Sequence, residues 1–225
     1  MRACSAGDDD QRHAPLAMTT SATPHLFWIT SRAAGVVALV LASLAVSLGL
    51  LMSTKLLRRR RTDLIVLHET LALSTIVAIA VHGLALLGDQ YLHPSFADIS
   101  IPFVSGYKTA WTSLGIFAGW SLALLGLSYY ARRRIGAARW RMLHRFTALA
   151  WLAGLVHSLG EGTDAGQIWF LALIAIVAIP AIGLLLVRHL RSSGRAPAST
   201  KATTHGDHRR VPARPAPTER MPVRS

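Results

Sequence analysis

Four histidines stand in two matched pairs and are the residues best suited to chemistry in this chain. His68 and His82 are 14 residues apart, and His144 and His157 are 13 residues apart. All four lie within apolar segments. At a helical rise of 1.5 Å per residue, either spacing separates the two imidazoles by about 20 Å along a helix. One such histidine could simply hydrogen-bond to a neighbouring helix, but two matched pairs indicate a shared function.

The composition indicates an integral membrane protein. The 225 residues are 52% hydrophobic and only 16% charged, which is too apolar for an ordinary soluble domain. The net charge of +13 does not predict nucleic-acid binding, because the basic residues lie between apolar runs and in the tail. The single cysteine, Cys4, excludes an intrachain disulfide, a zinc site built on cysteines and an iron–sulfur cluster.

Long apolar segments predict an all-α, multi-pass bundle of about five transmembrane helices. A helix needs about 20 residues to cross a bilayer, and the fourth segment is the shortest. Polar residues 1–24, in which Met18 offers an alternative start, and the basic tail 191–225 are predicted to be disordered. The predicted segments span approximately residues 26–52, 64–88, 109–130, 143–159 and 168–190.

The charges of the loops predict an orientation. The first and third loops and the tail are rich in arginine, including Arg58–Arg61 and Arg132–Arg134, whereas the second and fourth loops hold one basic residue between them. By the positive-inside rule the N-terminus lies outside and the C-terminus in the cytoplasm. The second and fourth helices then run in the same direction.

Because the two helices that carry the histidines run in the same direction, His68 is expected to pair with His144 near the inner face. His82 is expected to pair with His157 near the outer face. A b-type heme takes two axial imidazoles from facing helices, so two levels predict two hemes. Thirteen residues of straight helix would turn the second imidazole about 140° away from the first. Helix tilt, a local bulge, for which Gly154 is suited, or hemes offset around the helix would therefore be needed.

Two arginines are candidate partners for heme propionates. Arg32, near the outer end of the first helix, suits the outer heme, although it could equally snorkel to the lipid headgroups. Arg145, beside His144, suits the inner heme, although the topological role of arginine explains it almost as well. Glu69 could orient His68, and the loop residue His93 could contact an external substrate.

The histidine pattern resembles the ferric reductase-like transmembrane domain. This family includes the membrane parts of NADPH oxidases, ferric-chelate reductases and the heme subunits of bacterial methionine-sulfoxide repair systems. Residues 27–35 (FWITSRAAG), 140–144 (WRMLH) and 157–164 (HSLGEGTD) are similar to short bacterial members. The resemblance covers residues 25–190 and implies a bacterial inner-membrane protein whose four paired histidines ligate heme iron.

The resemblance further implies electron flow from a cytoplasmic or quinol donor to an outer acceptor, such as ferric chelate, oxygen or a redox protein. Larger members carry an additional first helix and a flavin and nicotinamide domain. No such nucleotide site is expected here, because about 35 residues follow the last predicted helix. We therefore expect a separate flavoprotein reductase or quinol as donor. Alternatives are a heme subunit of a periplasmic methionine-sulfoxide repair system, or a heme-free scaffold or transporter that uses the histidines for protons or metal.

Overall fold

The computed structural model describes residues 23–53, 61–162 and 164–193, and this part of the chain contains helices and no strand. The predicted disordered segments therefore lie outside the described residues, except that 23–24 and 191–193 are helical. The eight helices found there are α1 (Thr23–Ser53), α2 (Arg61–Leu86), α3 (Phe96–Ser100), α4 (Thr109–Leu127), α5 (Arg132–Ile135), α6 (Ala137–His144), α7 (Thr147–Glu161) and α8 (Ile168–Ser193).

Four helices of the described chain are long and apolar enough to cross a membrane, namely α1, α2, α4 and α8. The fourth predicted segment corresponds largely to α7, which has 15 residues and is shorter than the roughly 20 residues of a full crossing. Many large apolar side chains on the outside of the long helices are exposed, including Val77, Leu124 and Ile176. Such a surface suits lipid, and the predicted all-α membrane bundle is confirmed.

The fourth predicted segment is not one continuous helix. Helix α6 ends at His144, a turn covers Arg145 and Phe146, and α7 begins at Thr147. A local bulge at Gly154 is absent, since α7 runs through this residue without interruption. Because the turn separates His144 from His157, the angular rule for a straight helix does not apply to this pair.

Helix α1 is the central element of the bundle. It packs along α2 and also contacts α7 and α8, while α4 packs along α7. Trp151 of α7 is 1% exposed, and its Nε1 donates a hydrogen bond to the buried Ser43 Oγ of α1 at 3.0 Å. The surrounding core is formed by apolar side chains of α1, α7 and α8, including Leu39, Phe170 and Ala181. This packing fixes α7 against α1, which also packs along α2.

Candidate functional site

The structure brings the four histidines together as two pairs. The ring centroids of His68 and His144 are 6.2 Å apart, and the planes of the two imidazoles cross at 86°. His157 lies within electrostatic range of His82. Each pair thus joins α2 to the segment formed by α6 and α7.

His68 packs against a glycine of the neighbouring helix. A Cβ atom added at Gly49 of α1 would lie 3.1 Å from His68 Cε1, so a larger residue would crowd the imidazole. The Nδ1 atom of His68 is 3.0 Å from the carbonyl oxygen of Ala45. Since a carbonyl oxygen only accepts, Nδ1 donates the proton and Nε2 keeps its lone pair for a ligand.

His82 repeats this arrangement one level away. A Cβ atom at Gly35 would lie 3.0 Å from His82 Nδ1. The same Nδ1 donates to the carbonyl oxygen of Ser31 at 2.8 Å, and Ser31 Oγ lies 3.1 Å away. Gly35 and Gly49 are 14 residues apart, as are His82 and His68. The two antiparallel helices α1 and α2 therefore keep glycine and histidine in register at both levels.

His157 has the same kind of surroundings, a glycine and a backbone carbonyl, on a different pair of helices. Its Nδ1 donates to the carbonyl oxygen of Trp111 in α4 at 2.8 Å. A Cβ atom at Gly115 would lie 2.5 Å from Cε1 and 2.6 Å from Nδ1 of the imidazole. In all three cases the accepting carbonyl belongs to the residue four positions before the glycine. We name this arrangement of glycine and carbonyl the glycine cradle.

The glycine cradle has a chemical consequence. Metal-ligating histidines usually donate their second ring N–H to a carbonyl or carboxylate, which fixes the tautomer and the ring orientation. Three half-buried imidazoles here do so through Nδ1, and each leaves Nε2 as the available ligand atom. Sequence reasoning located the histidines but missed the glycines, although the shared 14-residue spacing was a readable signal.

A cavity surrounds the inner pair. It holds about 760 Å³ of space including its open mouth, and it is lined mainly by apolar side chains, together with His68, His144, Thr147, Arg145 and Arg188. Sites for organic cofactors are mostly apolar, with a few polar groups that orient the ligand. Arg145 therefore lies where the sequence predicted a partner for the inner cofactor, and Arg188 is a second cation that sequence reasoning did not single out.

The spacing of the inner pair fits a metal between the two rings. Bonds from a metal to imidazole nitrogen are about 2 Å long, so two imidazoles on opposite sides of one metal hold their centroids roughly 6 Å apart. The observed separation is 6.2 Å. No group of three or more His, Cys, Asp or Glu side chains suited to a metal ion occurs in the described ranges. The donors that the structure brings together at this level are two imidazoles.

Arg32 is held at the predicted outer side by residues of this chain. Its guanidinium donates to a carboxylate oxygen of Asp164, between α7 and α8, and stacks over the ring of Trp28 with its Cζ 4.1 Å from the centroid. The side chain remains 33% exposed. In the chain Arg32 follows Ser31, the partner of His82, and its ion pair links α1 to the segment between α7 and α8.

Two other candidates have local roles in the structure. Glu69 accepts a hydrogen bond from Tyr130 Oη at 2.6 Å, while the group that orients His68 is the Ala45 carbonyl. His93 is a loop residue with a left-handed φ of 43°, and its N–H donates to the carbonyl oxygen of Asp89 at 3.1 Å.

Comparison with known proteins identifies one family. The family model described as "Ferric reductase like transmembrane component" matches residues 34–155, which is more than half of the chain. The matched range contains His68, His82 and His144, and it ends two residues before His157. No curated protein and no solved structure matched the chain.

Proposed function

The chain belongs to the ferric reductase-like transmembrane family, and we propose from this premise that its bundle holds two b-type hemes and carries electrons across the membrane. Members of this family typically bind heme and work with partner redox components in a lipid bilayer. The observation that carries the two-heme proposal is the pairing of imidazoles whose Nδ1 atoms are engaged or buried. Domain 25–190 would form this heme unit, between the terminal segments 1–24 and 191–225.

Each pair would hold one heme through its Nε2 atoms. His68 and His144 would ligate the inner iron, and His82 and His157 the outer iron. When bound, heme supplies reversible one-electron chemistry at iron, at a potential that depends on axial ligands, burial and hydrogen bonds. The protein's own contribution would be to fix the tautomers of His68, His82 and His157. It would also line the inner cavity with apolar groups and place Arg145 beside the anionic groups of the heme. Arg32 would serve the outer heme while remaining linked to Asp164.

The two levels support a route across the membrane. Histidines 14 residues apart on α2 are separated by about 20 Å along the helix, which places the levels towards opposite faces of the bundle. We propose that the N-terminus lies outside and the C-terminus in the cytoplasm of a bacterial inner membrane. The inner cavity, with Arg145 and Arg188, would then lie on the side where a flavoprotein or quinol delivers electrons. Ferric chelate, oxygen or a redox protein would accept them outside.

The decisive experiment measures heme in the purified full-length protein. A reduced-minus-oxidised spectrum with a bis-imidazole signature and about two hemes per chain is expected. His82→Ala should remove mainly the outer heme and His68→Ala mainly the inner one, and His93→Ala is the matched control that should keep both. A heme-free parent, or equal loss of both hemes in both variants, would contradict the proposal.

The donor can be tested with the same preparation. A quinol analogue that reduces the hemes without NAD(P)H would identify a quinol-linked subunit, as in methionine-sulfoxide repair. Reduction only after addition of a flavoprotein and NAD(P)H would identify a flavoprotein-linked reductase. Failure of both to reduce heme that dithionite reduces would contradict electron input from either donor.

A further inference from the structure

His144 lacks the device that orients the other three histidines. Its Nδ1 is buried and has no hydrogen-bond partner among the described residues. The Leu125 carbonyl lies near the His144 imidazole, but it does not meet the geometric criteria of a hydrogen bond to Nδ1. The residue four positions after Leu125 is Tyr129, where the glycine cradle would place a glycine. His144 also ends α6 immediately before a turn, so neither a glycine cradle nor a continuing helix fixes this imidazole.

Trp140 contacts the His144 imidazole instead. The two residues are one helical turn apart on α6, so their side chains share a face. Their ring centroids are 5.0 Å apart with an interplanar angle of 24°, which is a stacked arrangement. The imidazole torsion has broad minima. Without a partner for Nδ1, the orientation of the ring must therefore come from packing against the indole.

The indole is itself supported on another side. Tyr129 makes an edge contact with Trp140, with centroids 5.8 Å apart and an interplanar angle of 62°. The guanidinium of Arg132 lies over the Tyr129 ring, 3.8 Å from its centroid. Trp140 Nε1 is buried while the residue as a whole is half-buried, so the nitrogen edge of the indole lies against the protein. The side chains of Arg132, Tyr129 and Trp140 form a continuous series of contacts that ends on His144.

We propose that Trp140 is the positioning residue for His144 and that its stacked indole holds the His144 ring crosswise to His68. This inference rests on the proposed function, because it assigns an orientation to one axial ligand of the inner heme. The angle between two axial imidazole planes determines how the iron d orbitals split. Crossed planes give a highly anisotropic low-spin ferric signal in electron paramagnetic resonance, whereas near-parallel planes give an ordinary rhombic one.

Three variants of the full-length, heme-loaded protein test this assignment. Trp140→Leu keeps apolar bulk but removes the stacked ring, Trp140→Phe keeps a ring, and Trp169→Leu is the control on α8, where the indole is 53% exposed. In Trp140→Leu we expect loss of the highly anisotropic signal and binding of carbon monoxide by up to about half of the heme, because the inner iron loses a firmly held ligand. Trp140→Phe should keep the signal, and Trp169→Leu should match the parent.

The outcomes separate this inference from the proposed function. A heme-free parent would overturn the proposed function and this inference with it. A parent with two hemes and a Trp140→Leu protein whose resonance spectrum and carbon monoxide binding match Trp169→Leu would overturn the inference alone. Should Trp140→Leu fail to accumulate, Tyr129→Leu removes the support behind the indole. It should weaken the same signal without heme loss, and an unchanged spectrum there would also refute the assignment.

Discussion

Replacing Gly115 by alanine tests whether the glycine cradle is required for His157. The new Cβ would lie 2.5 Å from Cε1, 2.6 Å from Nδ1 and 2.8 Å from Nε2 of the imidazole. Favourable carbon contacts lie at about 3.5–4.0 Å, so the ring must retreat by about 1 Å. That movement would break the 2.8 Å hydrogen bond to the Trp111 carbonyl and displace the ligand atom.

The size of the effect follows from the overlap. Overpacking in a well-packed interior typically costs about 1–3 kcal/mol, which corresponds to roughly 5- to 150-fold weaker retention of the outer heme. Gly35→Ala should have a smaller effect, since its Cβ would lie 3.0 Å from His82 Nδ1 and needs a shift of only a few tenths of an ångström. Gly83→Ala is the matched control, because its Cβ meets nothing within 4 Å.

The assay is heme stoichiometry and the difference spectrum of each purified variant. Gly115→Ala should lose the outer heme in preference to the inner one, and Gly83→Ala should keep both hemes and be slightly more stable, since alanine favours helix over glycine. If Gly115→Ala retains as much heme as Gly83→Ala, with the same spectrum, the glycine is not there to accommodate the imidazole and the reasoning is refuted.

Two further predictions concern the outer side and its loop. Asp164→Asn should weaken the contact with the partly exposed Arg32 and lower the free energy of unfolding by about 1 kcal/mol or less. Thermal unfolding in detergent measures this loss, with Asp63→Asn on the opposite side as the comparison. A larger loss of stability for Asp63→Asn would contradict the prediction. Hydrogen bonds from the Ser95 hydroxyl and N–H hold the pKa of Asp98 below its usual range. Ser95 and Asp98 form the capping box at the start of α3. A depressed folded-state pKa contributes stability above the unfolded pKa that is lost as pH falls through the folded pKa, so this capping box should loosen only in acid. Ser95→Ala should raise the pKa of Asp98, as followed by the carboxyl chemical shift, and an unchanged midpoint would argue against these bonds.

Much of the fold could be predicted because its signals are local. Long apolar runs predict transmembrane helices wherever backbone groups must be satisfied within one segment. The histidine spacings likewise predicted two levels, and the structure places the rings of His68 and His144 beside each other at one of them. The interruption at Arg145 and Phe146 was missed, because no proline or glycine marks it.

The sequence by itself determined the helical class, the apolar lengths and the positions of four histidines, since these depend on residue type and on a helical rise that is the same everywhere. Only the tertiary structure decided what touches each imidazole. Gly49 and Gly35 meet His68 and His82 because α1 and α2 pack antiparallel in one register, and Arg32 meets Asp164 across 132 residues. Such contacts join helices distant in the chain, and their geometry is set by packing between helices rather than by local preference.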